Sequence, residues 1–167
     1  LGPYIVLAFF AAQFIAAFNQ SGLGQMLAIA GGQFLRQLMV QDALLLSCFV
    51  LMVVVINLVI GSSSAKYAFF APVFVPMLMQ IGISPELTQA AYRVGDSVSN
   101  VITPMNPYMI IIIIEVRKYV RGSGLGTVVA MMLPYTIAFL IVWLILLVVW
   151  INTGLPLGPG GGLFYKF

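Results

Sequence analysis

The sequence predicts an all-α polytopic membrane protein with a re-entrant helical hairpin, a broken transmembrane helix and a final full span. Three observations carry this reading. Apolar residues make up 62% of the chain and charged residues 7%, with a mean hydropathy of +1.13, against roughly 45–50% and about 25% in soluble domains; a water-soluble fold is excluded. Polar, helix-breaking sequence interrupts the apolar runs at Gly61-Ser-Ser-Ser-Ala-Lys66 and again at Gly95-Asp-Ser-Val-Ser-Asn-Val-Ile-Thr-Pro104. Thr127–Ile151, by contrast, is apolar without interruption. Every backbone N–H and C=O in a bilayer needs a partner, so helix breaks at membrane depth persist only where they are buried in protein or line a cavity.

Composition also excludes several function classes. The net charge of +3 is spread over few groups and forms no basic patch for a phosphate backbone, so no nucleic-acid partner is expected. With no histidine and one cysteine, Cys48, in an apolar run, the chain by itself builds no disulfide framework, Cys/His zinc site or His-based triad. Cys48 reads as packing. The opening Leu1-Gly-Pro lacks the basic n-region and small-residue cleavage site of a signal peptide, and the chain reads as mature sequence belonging to something longer.

The elements follow in order. Residues 1–22 form a transmembrane helix stopped by Asn19-Gln20-Ser21-Gly22. Residues 23–41 mix apolar positions with Gly31-Gly32-Gln33, Arg36 and Gln37, too polar to cross and too apolar for free solution, and are expected to be an interfacial helix and connection. Residues 42–82 hold two short apolar arms, Leu44–Ile60, led in by Asp42, and Ala68–Ile81, around a polar tip at 61–66. A span needs about 20 apolar residues to cross a core of about 30 Å, so the short arms suit a re-entrant hairpin; two ordinary spans with an aqueous loop is the alternative. Ser84-Pro-Glu86 is a helix start, with a capping hydroxyl, Pro at the first helical position and an acid at the positive end. It opens the broken helix of residues 83–121, with the break near 99–107 before Pro104 and Pro107, then five isoleucines, Ile110–Ile114. Arg117, Lys118 and Arg121 place its far end in the cytoplasm. Residues 122–151 are the final span, and the Gly/Pro-rich 152–167 are expected to be a flexible tail.

Chemistry concentrates at the two breaks. Gln89, Arg93, Asp96 and Asn100 are spaced by four, three and four residues, one face of a helix. Ionisable groups at membrane depth cost about 2.5–3.5 kcal/mol on insertion scales and mark cavities or partners; a buried Arg93–Asp96 pair that only locks the helix is the structural alternative. Asp96, Ser97, Asn100 and Thr103 offer the hard oxygen donors that a small cation such as Na+ prefers. At the other break Ser62, Ser63 and Ser64 precede a new helix whose N-terminal amides favour a carboxylate, and Lys66 adds a formal charge, unless it snorkels to a lipid phosphate. Paired breaks of this kind build the substrate and ion sites of secondary transporters.

The combined pattern of Ser64 in Ser-Ser-Ser-Ala-Lys-Tyr67, Pro85, Ala-Tyr-Arg93-Val-Gly-Asp96-Ser and Thr103-Pro104-Met-Asn106-Pro-Tyr resembles the AbgT family of p-aminobenzoyl-glutamate and antimetabolite transporters, over nearly the whole chain. Tyr67 stands where the family usually carries tryptophan. The resemblance implies the C-terminal half of a carrier built from two inverted repeats, driven by Na+ or H+, with no other cofactor, assembled as a homodimer in the bacterial inner membrane, its partners being the bilayer and the N-terminal half of the same transporter. On this combined reading Ser62, Ser63, Ser64, Lys66, Tyr67, Arg93, Asp96, Pro104 and Asn106 are expected to contact the small-molecule substrate. Within that reading Arg93 takes the substrate carboxylate through its bidentate fork, and Asp96 tunes Arg93 or shares the coupling ion.

Two other classes compete. Polar broken segments also line pores, so a channel subunit is one. An intramembrane aspartyl protease needs a second carboxylate beside Asp96, but Asp42, Glu86 and Glu115 all fall at segment ends, so no enzyme is expected.

Overall fold

The computed structural model describes residues 2–37, 41–60, 63–106 and 108–165. Seven helices form among them: α1 (Gly2–Gln20), α2 (Leu23–Gln37), α3 (Asp42–Asn57), α4 (Ser63–Met79), α5 (Pro85–Ser99), α6 (Met109–Tyr119) and α7 (Leu125–Thr153). Extended structure among these residues is confined to the isolated bridges Ile83–Phe164 and Gly158–Gly161. Among the described residues one helix, α7, is long and apolar enough to cross a membrane by length and composition; α3 and Lys66–Met79 are apolar but shorter. At about 1.5 Å per residue the 29 residues of α7 reach about 43 Å, whereas the 16 of α3 reach about 24 Å.

The helices divide into two compact units. The first comprises residues 1–44, 64–89 and 154–167. Its packing is dominated by small residues on α2, where Gly24, Ala28 and Gly32 recur every fourth position on the buried face. Such residues let helices approach closely: a Cβ at Gly32 would lie 2.7 Å from Gln80 Oε1, and one at Gly31 would strike Met77 Sδ. Arg36 donates to the Gln80 carbonyl, and the Phe14 and Phe69 rings meet edge to face at 4.6 Å. Pro72 and Pro76 lie inside α4, and the chain turns at Gly82, whose φ of +93° suits glycine.

Residues 154–165, expected from composition to be loose, are tied to that turn. Tyr165 N–H donates to the Gly82 carbonyl at 2.7 Å and Ser84 N–H to the Leu163 carbonyl at 3.1 Å, while Ile83 and Leu163 are buried. Glycine and proline content marks missing helix propensity, and here it permits a tight turn closed by Leu157 N–H on the Gly161 carbonyl.

The second unit comprises residues 45–63 and 90–153. Leu46, Val50, Val53 and Asn57 on α3 are all fully buried at spacings of four, three and four, a single helix face. Gly95 of α5 meets that face: a Cβ there would lie 2.7 Å from the Val50 carbonyl and 2.9 Å from Val53 Cβ. Arg117 and Lys118 close the last turn of α6 against its negative end, and Arg117 Nε donates to the Ser123 carbonyl across the turn at Gly122, whose φ is +82°. Apolar side chains of α6 and α7, among them Ile110, Ile114, Leu133, Ile137, Ile141 and Val149, are exposed, as lipid-facing surfaces are.

Candidate functional site

The start of α5 is set by its sequence. Ser84 Oγ accepts from Leu87 N–H at 3.1 Å, and Thr88 Oγ1 donates to the Ser84 carbonyl at 3.0 Å; this is the N-cap that Ser84-Pro85 announces. Farther along the helix Gln89 and Arg93 are exposed, Asp96 is 2% exposed and Asn100 half-buried, so the polar stripe runs from an open face into the interior.

In the second unit the structure joins Arg93 to Ser63. Arg93 Nη1 donates to Ser63 Oγ at 2.9 Å, and the neighbouring Tyr92 hydroxyl donates to the Ser63 carbonyl at 2.8 Å. Among the described residues Arg93 makes no ion pair with Asp96; its guanidinium reaches the first residue of α4 instead. Successive side chains of one helix thus hold the hydroxyl and the carbonyl of Ser63.

The C-terminal end of α5 is organised by Asn57, which the polar-stripe reading misses. Its Nδ2 lies 3.1 Å from the Asp96 carbonyl, 2.7 Å from Ser99 Oγ and 3.1 Å from Asn100 Oδ1, and Ser99 Oγ donates to the Gly95 carbonyl at 2.7 Å. The last carbonyls of a helix have no intrahelical partner; a buried amide from α3 serves the Asp96 carbonyl here. The sequence signal was present, since Asn57 is the one amide in the apolar run 44–60. The following loop is fixed locally: Asn106 Nδ2 donates to the Asn100 carbonyl at 3.0 Å, Met105 N–H to Thr103 Oγ1 at 3.4 Å and Tyr108 N–H to Asn106 Oδ1 at 2.9 Å. Asn100 and Asn106 are therefore brought together, Thr103 is buried, and Pro104 is exposed.

Of the remaining residues singled out by sequence, Ser62 lies outside the described residues. Ser64, Lys66 and Tyr67 belong to the first unit, on the opening turns of α4, with Ser64 exposed and Lys66 buried. Ser97 faces away from the Asn57 cluster into a cleft of about 440 Å³, walled by Val98 and Val101 on one side and by Met132, Tyr135, Phe139 and Trp143 of α7 on the other. No group of three or more His, Cys, Asp or Glu suited to a metal occurs among the described residues. Any cation here would be held by neutral oxygens with Asp96, at a helix C-terminus whose dipole favours positive charge.

Residues 1–165 match the family model described as AbgT putative transporter family. The chain belongs to the AbgT family. It is 34% identical over 160 residues to the p-aminobenzoyl-glutamate transport protein of Escherichia coli K12, covering 96% of this chain and 32% of that protein. Among solved structures it is similar to the YdaH transporter of Alcanivorax borkumensis, with 53% identity and a TM-score of 0.88 over 95% of this chain and 34% of that one. It is also similar to Neisseria gonorrhoeae MtrF, described within a class of antimetabolite efflux pumps, with 50% identity and a TM-score of 0.84 over 96% of this chain and 32% of that one. This AbgT-family chain thus spans about a third of the length of these relatives. The family model and these relatives are described as transporters.

Proposed function

We propose that this AbgT-family chain forms part of an ion-coupled secondary transporter of the bacterial inner membrane that moves p-aminobenzoyl-glutamate, or related antimetabolites such as sulfonamides, by alternating access. The observation that carries the proposal is the Arg93–Ser63 contact: a membrane-protein arginine, exposed and donating to a serine at a helix N-terminus, presents a planar cationic fork at the positive end of a helix dipole, a combination that recognises carboxylate. Ser64, Lys66 and Tyr67 on the same helix, Ser62 before it, and Pro104 and Asn106 after α5 complete the proposed substrate contacts. The coupling ion, Na+ or H+, is assigned to Asp96 with Ser97, Asn100 and Thr103.

The architecture proposed for that activity is one inverted-repeat half: α3 and α4 as the arms of a re-entrant hairpin, α5 and α6 as the halves of a broken membrane helix, α7 as a full span. The rest of the same transporter and a second copy would complete a homodimer. The 16 and 17 residues of α3 and α4 fall short of the roughly 20 a span requires, and α5 ends at Ser99, ten residues before α6 begins; both facts support the reading.

Reconstitution of the whole transporter into vesicles tests it. Uptake of labelled p-aminobenzoyl-glutamate should saturate and be accelerated by unlabelled substrate on the opposite side, the mark of a carrier. Flux that is linear in concentration and shows no exchange would point to a pore and defeat the proposal.

A further inference from the structure

Three aromatic residues, Tyr135, Phe139 and Trp143, fall at spacings of four on one face of α7, and all three line the cleft opposite Ser97, Val98 and Val101. Their depth is unusual. Phe139 lies 14 residues from Leu125 and 14 from Thr153 (139 − 125 and 153 − 139), the middle of the helix, whereas the aromatic belts of membrane proteins sit at the two interfaces. Tyr and Trp at mid-span carry an O–H and an N–H into hydrocarbon, where an unpartnered polar group is costly. Neither Tyr135 nor Trp143 has a hydrogen-bond partner among the described residues. These three residues are 42–61% exposed, so their faces and polar tips are open to an occupant. On the opposite wall, Ser97 lies one turn after Arg93 on the same side of α5, about 6 Å along the axis.

We propose that this cleft is a ring subsite: it takes the flat aromatic part of an aromatic amide carboxylate, stacked on Tyr135, Phe139 and Trp143, while the carboxylate end lies at Arg93. The proposal deepens the assignment of Arg93 made above and rests on it. The aromatic faces supply stacking area, Tyr135, Trp143 and Ser97 supply donors for acceptor groups on the ring or its amide, and Arg93 fixes the charged end. A lipid acyl chain would fill the same volume but leave the three polar tips without partners.

The test is photolabelling of the whole transporter with 4-azidobenzoyl-glutamate, in which an azide replaces the ring amine, followed by peptide mapping, together with p-aminobenzoyl-glutamate affinity of the Phe139→Leu variant. Labelling within residues 132–143 that excess p-aminobenzoyl-glutamate suppresses, and an affinity about tenfold weaker in Phe139→Leu with an unchanged melting temperature, are the expected results. Suppressible labelling confined to other segments would overturn the ring subsite and leave the transport proposal standing. Labelling that excess substrate does not suppress would show no specific site and overturn both. Unchanged affinity in Phe139→Leu, with loss of a co-purifying phospholipid, would make the cleft a lipid seat and overturn the proposal.

Discussion

Arg93 Nη1 donates to Ser63 Oγ at 2.9 Å, while Tyr92, the residue before it, donates to the carbonyl of the same serine at 2.8 Å. Two consecutive residues of α5 therefore fix both the side chain and the backbone of the residue that opens α4, and the arginine is held extended without being buried. If the pair acts together on a carboxylate, Ser63→Ala should weaken p-aminobenzoyl-glutamate binding about threefold to tenfold, and a double-mutant cycle with Arg93→Lys should show coupling of about 1 kcal/mol. Strict additivity by titration calorimetry would show that the contact does not serve binding.

Asn57 is fully buried and its amide nitrogen lies within 3.1 Å of three acceptors on Asp96, Ser99 and Asn100. Replacing it with Leu keeps the branched skeleton, though in a bulkier form, and leaves the Asp96 carbonyl and the Asn100 side-chain oxygen without that donor, at about 1–3 kcal/mol for such an unsatisfied group. The detergent-solubilised Asn57→Leu protein should melt clearly lower than the parent, and Asn57→Asp lower still, because a carboxylate offers these oxygens no donor. A melting temperature within a degree of the parent for both would remove Asn57 from its place as organiser of the α5 end.

Much of this was legible in the sequence, for physical reasons that can be named. Ser84-Pro85 announced the α5 start because capping is a local matter of hydroxyl, imino ring and spacing, and α7 was visible because its length and apolarity need no context. The family was legible in the motif residues around Ser64, Arg93, Asp96 and Thr103. What stayed hidden depends on contacts distant in the chain. The spacing of Arg93 and Asp96 says that they share a face, but not that Arg93 reaches a serine 30 residues earlier. Asn57 stood out from its apolar run and was still passed over, since its role exists only once Gly95 brings α5 against α3. The pairing of Leu163–Tyr165 with Gly82–Ser84 leaves no periodicity to read, because main-chain hydrogen bonds make few demands on side-chain identity.

Gly95 and Gly126 form a paired test of that helix contact. A Cβ at Gly95 would meet the Val50 carbonyl at 2.7 Å, while one at Gly126 finds nothing within 4 Å. Gly95→Ala should destabilise by about 1–3 kcal/mol through overpacking, and Gly126→Ala, inside α7, should be neutral or stabilising by about 0.5–1 kcal/mol. Melting in detergent separates the two; equal behaviour would contradict the close approach of α5 to α3.

The re-entrant hairpin predicts sidedness. If the arms return to the face they left, single cysteines at Gln41 and Glu86, both exposed, should react with an impermeant maleimide from the same side in a Cys48→Ser background. A cysteine at Tyr119, in the basic end of α6, should react only from the other side. Gln41 and Glu86 labelling from opposite faces would make α3 and α4 something other than a re-entrant pair.

The most direct test of the central claim is the affinity of the whole transporter for p-aminobenzoyl-glutamate when Arg93 becomes Lys and, separately, when Asp96 becomes Asn, measured beside the melting temperature with and without sodium. Lysine keeps the charge and loses the planar fork, so Arg93→Lys should lose tenfold or more in affinity (about 1.4 kcal/mol or more) at an unchanged melting temperature. Asp96→Asn should lose the sodium dependence of binding. Both variants binding substrate normally, with normal sodium dependence, and merely melting earlier would make the two residues a structural lock and contradict the account.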